Sequence, residues 1–92
     1  KLDLESHELT ALRGATRLLL SVEVVLTELS IFDFEGCGRP IFADYVAFLQ
    51  RAGFDLYDIA ALSPRTRDLR LRQADVIFVR RDSQLLADNR WA

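Results

Sequence analysis

Residues 22–29 read VEVVLTEL, eight positions that are apolar almost throughout and rich in β-branched side chains. β-Branched residues lose rotamer freedom on a helix and fit the pleated surface of a sheet, so this run is a strand. It does not alternate apolar with polar. That predicts cover on both faces, the pattern of a parallel sheet in an α/β domain. The rest of the chain is read outward from this strand.

Upstream, residues 1–4 read as the end of a first strand. Residues 7–20 read as a helix, with Leu9, Leu12, Ala15, Leu18 and Leu19 at helical spacing. Ser6 is placed to cap it, and Glu8 in the first turn favours the helix dipole. Gly14 inside this run costs about 1 kcal/mol relative to Ala, in keeping with close packing of helix on sheet. Downstream, residues 31–40 form a loop holding Gly36 and Gly38. Residues 41–52 form a second helix with a Phe42, Tyr45, Val46, Phe48, Leu49 stripe, and Gly53 follows as its C′ residue. Residues 54–60 read as a third strand. A polar loop with Ser63-Pro64 and Arg65, Arg67, Arg70 and Arg72 leads to a fourth strand, ADVIFV, at 74–79.

The connections predict the topology. Two helical links make the first three strands parallel through right-handed crossovers. The link of about a dozen residues into the fourth strand carries no helix signal, which favours an antiparallel return. The predicted fold is α/β, in the order β-α-β-α-β-β: a mostly parallel sheet closed by an antiparallel last strand, with helices covering it. Residues 1–82 form this unit and residues 83–92 a polar tail.

The chain has 92 residues, half of them hydrophobic, and a net charge of −2. One small domain fits that length. Nothing in the overall charge draws the chain to nucleic acid or to an anionic membrane. The basic residues are eleven Arg and one Lys, a bias read as compositional. Cys37 is the single cysteine, so no disulfide staples the fold and no metal-binding spacing exists. No apolar run approaches the ~18 residues of a membrane span, and no signal-peptide pattern is present. The expected compartment is the cytoplasm. The chain opens without Met inside an apparent folded unit, which predicts a piece of a longer protein.

In open α/β sheets, ligands bind beyond the carboxyl ends of the parallel strands. Here that rim holds Asp3 and Glu5 after the first strand, and Glu28 and Ser30 at the end of the second. Each has a plain structural alternative. Asp3 can bond backbone N–H groups of the following helix turn. Glu5, His7 and Glu8 can be solvated first-turn residues. Glu28 near the end of an apolar strand needs a partner or solvent. Asp3, Glu5, His7 and Glu28 are also ligand types that suit Mg²⁺ or Mn²⁺. That would open a metal-dependent hydrolase site, but no metal is expected. Cys37 reads as an incidental loop thiol rather than a nucleophile, and the arginines of 65–72 as a solvated hairpin loop rather than a grip on a phosphate or an acidic substrate.

Four stretches taken in order resemble the C-terminal half of FkbM-type methyltransferases, S-adenosylmethionine-dependent enzymes of class I. KLDLESHELTALRGA looks like the family's fourth strand and the helix after it, and VEVVLTELS like its fifth strand. FADYVAFLQRAGFDLYDI looks like the next helix and strand, and LRQADVIFVRR like the last strand. The likeness covers about residues 1 to 81. It implies a partial Rossmann-like sheet and methyl transfer to a hydroxyl of a small metabolite or sugar. Such transfer needs the acceptor aligned and its proton removed. The resemblance assigns that work to Asp3, with Glu5, His7 and Glu28 as further candidates. The family usually has Gly where this chain has Ser6. It also holds S-adenosylmethionine mostly in an N-terminal half absent here, so no cofactor-binding residue is assigned. FEGCGRP has two glycines but not the form of a cofactor turn. The chain alone is expected to bind the cofactor poorly. The alternative is a non-catalytic α/β module that pairs with another chain along an exposed sheet edge.

Overall fold

A computed structural model describes residue 14 and residues 19–91. The predicted first strand and nearly all of the first helix lie outside the described residues; Gly14 and Leu19 are helical. Strand β1 spans Val24–Ser30, helix α1 Phe42–Arg51, strand β2 Phe54–Pro64 and strand β3 Leu71–Arg80. Single 3₁₀ turns stand at Phe34–Gly36 and Gln84–Leu86.

Helix α1 starts where Asp44 reaches back to accept the Ile41 N–H at 2.8 Å. That satisfies one orphan donor of the first turn. Its stripe is the predicted one: Tyr45 and Leu49 are buried, with Phe42, Val46 and Phe48 packed around them. The helix ends at Gly53, whose φ of +95° turns the chain straight into β2. A side chain rarely adopts that conformation.

The three strands form a sheet in the order β1-β3-β2, and both neighbouring pairs are antiparallel. β1 and β2 therefore run parallel, as predicted, but they are not neighbours. This corrects the mostly parallel sheet: among the described strands no adjacent pair is parallel. The helical crossover from β1 steps past one strand position, and the hairpin return of β3 fills the gap. The hairpin also extends further than its sequence indicates. β2 reaches Pro64 and β3 begins at Leu71, so the link is six residues, 65–70. Ser63 and Pro64 look like loop residues, yet both are exposed on β2 at the edge of the described sheet, where Pro64 costs little; Arg72, also loop-like in sequence, lies in the central strand β3.

One sheet face carries the core. Val25, Thr27 and Leu29 of β1 lie opposite Phe78, Val76 and Ala74 of β3, and all six are buried. Leu19, Tyr45, Leu49 and Phe54 complete the cluster. Each fully buried Leu, Val or Phe side chain contributes about 1.5–3 kcal/mol. On the other face Leu26 and Ile77 are half-buried and Val24 is exposed. The apolar run of β1 is thus sealed on one side and half-open on the other, not covered on both.

β2 is irregular. Its register against β3 shifts at Tyr57 and again at Ala60, each an extra residue. In a regular strand Leu56, Ile59 and Leu62 would alternate faces. The two bulges instead set them opposite Phe78, Val76 and Ala74, so all three share the core face. They lie outside the cover of α1 and stay exposed, at 41, 45 and 61 %.

The chain after β3 is tied down. Arg80 donates to the carbonyls of Leu19 and Leu20 at 2.9 and 2.8 Å. Arg81 pairs with Asp55 at 3.0 Å, and the buried Ser83 donates to Glu23 at 2.5 Å. The segment read as a polar tail therefore begins with a docked turn.

Candidate functional site

The carboxyl ends of the two parallel strands, Ser30 and Pro64, define one rim. Two loops rise from it: 31–41 after β1 and 65–70 after β2. The Ile31 N–H bonds the Arg72 carbonyl at 2.8 Å and holds the bases of the loops together.

Phe32 stands between them. The Arg70 guanidinium carbon lies over its ring at 3.8 Å from the centroid, and that of Arg65 at 5.4 Å. Phe34 meets Phe32 edge to face at 5.9 Å, and Arg39 lies over Phe34 at 5.8 Å. The negative face of an aromatic ring attracts such cations. Asp33 is spent on its own loop, accepting the Gly38 and Arg39 N–H groups at 2.9 and 3.3 Å.

Asp68 organises the hairpin tip. It accepts two bonds from Arg65, both at 2.7 Å, and the Arg70 backbone N–H at 3.0 Å. The Arg65 hydrogen bonds, then the Arg70 N–H, hold its carboxyl far below the usual carboxylate range. The same pairing raises Arg65. Leu69 adopts a φ of +64° to let the tip close on itself. Neither Arg70 nor Arg39 has a hydrogen-bond acceptor for its guanidinium among the described residues, though the charge of Asp68 reaches Arg70.

Of the four catalytic candidates read from the sequence, Glu28 alone lies within the described residues. Asp3, Glu5 and His7 lie outside the described residues. Glu28 is not at the strand end but two residues inside it, half-buried on the face away from α1 and opposite Asp75. The structure thus sets two carboxylates across from one another there, an arrangement that repels at close range. Cys37 is an exposed free thiol whose sulfur donates weakly to the Glu35 carbonyl at 3.8 Å. No three His, Cys, Asp or Glu side chains among the described residues come together as metal ligands. No helix among them is long and apolar enough to cross a membrane.

No protein-family model matches the chain, and no curated protein or solved structure matches it either. The rim is thus read from its own residues. Its aromatic and cationic character was hard to see in the sequence. Phe32-Asp33-Phe34 directly after a strand, with four arginines in the facing hairpin, was the available signal.

An apolar groove of about 320 Å³, lined by Leu19, Leu20, Phe48, Arg51 and Ala52, opens at the C-terminal end of α1. That is the end of the sheet opposite the rim, and no titratable cluster faces it among the described residues.

Proposed function

We propose that this chain is the acceptor-side half of an FkbM-like, S-adenosylmethionine-dependent methyltransferase acting on a hydroxyl of a small metabolite or sugar. One observation supports the reading above the others. After a helical crossover, β3 returns antiparallel and lies between β1 and β2, in keeping with the expected β-α-β-β order. In this reading Asp3, with Glu5 or His7, positions or deprotonates the acceptor hydroxyl, and Glu28 is a further candidate for contact with the acceptor.

The described residues do not fit as the cofactor's seat. Loop 31–41 is the described strand-to-helix turn that carries glycines. Gly36 and Gly38 stand several residues before α1, and the N–H of Gly38 is already taken by Asp33. No step is therefore derived through the cofactor here.

The test begins with the coding sequence upstream of Lys1. The reading expects a strand, a Gly-rich turn, a helix and an acidic strand end about 20 residues on. The whole protein should then transfer labelled methyl groups, and Asp3→Asn should lower kcat about 10²–10⁴-fold. An unrelated upstream sequence overturns the reading; full turnover by Asp3→Asn removes Asp3 from its role.

The exposed row Leu56, Ile59 and Leu62 on edge strand β2 favours a second reading, a non-catalytic module that pairs with another chain. Light scattering separates the two. A monomer at every concentration argues against pairing, whereas a dimer lost in Leu62→Lys supports it.

A further inference from the structure

We infer that Phe32, Arg65 and Arg70 form a seat for an oxyanion, the carboxylate or phosphate group of a small molecule bound at the rim. That this molecule is the methyl acceptor rests on the reading above; the anion seat itself does not.

Three observations converge. First, the loop is locally positive within an acidic chain. Residues 65–72 hold four arginines and one aspartate, and the chain's net charge is −2. Second, the cations are held in place before any ligand arrives. Asp68 grips Arg65 through two bonds, and Phe32 lies under Arg70 at 3.8 Å. A guanidinium stacked on a ring keeps its N–H edge available, and that edge matches a carboxylate or phosphate in two-point fashion. Arg70 spends none of those donors on a described residue, so its edge is open to a ligand. Third, Arg72, where the β2–β3 register shifts, has a buried Nε with no acceptor among the described residues. Buried donors are normally satisfied. Its carbonyl accepts from the Ile31 N–H, so the backbone of Arg72 adjoins the base of the loop that carries Phe32.

The aromatic pair adds a constraint on the ligand. Phe32 and Phe34 flank the cations, so an anion attached to an apolar or planar body would be preferred over a bare ion.

The test reads the arginine Nε–Hε signals of the labelled 92-residue chain by NMR. Inorganic phosphate, benzoate and acetate are titrated at constant ionic strength against chloride. The expected result is a saturating shift at Arg70 and Arg65, with benzoate at least as strong as phosphate and stronger than acetate. Arg70→Gln, at the exposed hairpin tip, should weaken the apparent affinity about tenfold. Phe32→Leu should weaken benzoate more than phosphate, with the remaining spectrum confirming the fold. Shifts that rise linearly, or equally at Arg90 and Arg51, overturn the seat. Saturation in Arg70→Gln unchanged from the parent overturns it too. Methyl transfer is not part of this readout, so the seat can stand if the methyltransferase reading falls. A whole enzyme that methylates only neutral acceptors would sever the seat from the acceptor without affecting anion binding.

Discussion

Leu56 of β2 stands directly opposite Phe78 of β3, on the same face of the sheet, yet Phe78 is fully buried and Leu56 is 41 % exposed. The boundary of the core runs between these two residues. Helix α1 covers the β1–β3 side and the start of β2, and leaves the rest of the edge strand bare.

That boundary predicts a sharp contrast in stability. Leu49→Ala removes a side chain with no exposed surface and should cost about 2–5 kcal/mol. Leu62→Ala, 61 % exposed, should stay within about 0.5 kcal/mol. Urea melts of the two variants decide it. Equal losses would mean that something covers β2 in solution.

Thr27 offers a gain. Its hydroxyl is buried in the middle of β1 with no hydrogen-bond partner among the described residues. Valine has the same shape without the desolvated oxygen. Thr27→Val should stabilise the fold by about 1–2 kcal/mol, visible as a higher Tm. A lower Tm would show that the hydroxyl has a partner in solution.

Gly53 works through the backbone. An added methyl group meets nothing within 4 Å, so space is not the obstacle. The φ of +95° is. Gly53→Ala should therefore cost about 1 kcal/mol or more through strain alone. A neutral result in a chemical melt would imply that the α1–β2 turn relaxes freely.

Asp68 gives a pH signature. Its carboxyl is depressed in the folded chain, chiefly by the Arg65 hydrogen bonds. Between the folded and unfolded values the unfolded chain binds more protons. The stabilising effect is thus complete above the unfolded value, about 3.9, and fades as pH falls through the folded one. The Asp68 carboxyl carbon should show a flat NMR shift from neutral pH to about pH 3. A midpoint near the ordinary carboxylate value would mean that the pairing with Arg65 is not populated.

Local pattern made β1 and α1 legible. Residues 22–29 and 41–52 anticipate Val24–Ser30 and Phe42–Arg51 closely, because β-branched runs and a 3.6-residue stripe are local signals. The hairpin was less legible. Leu56, Ile59 and Leu62 recur every third residue, and only the bulges at Tyr57 and Ala60 bring them onto one face. The insertion of β3 between β1 and β2 is a long-range choice that no window of sequence contains. The same holds at the rim. Phe32 and Arg70 meet over 38 intervening chain steps, whereas Glu28, picked for its place near a strand end, sits inside the ladder opposite Asp75.

The strand at the centre of the sheet is the last of the three to be synthesised. Val24 waits for Val79 and Phe54 for Arg80. Until β3 leaves the ribosome, β1 and β2 lack the strand that joins them in the described sheet. Pairing at such sequence separation is slow to form. The nascent chain is therefore most in need of a chaperone just before β3 emerges, and a stop codon in the hairpin would release β1 and β2 without the strand that joins them.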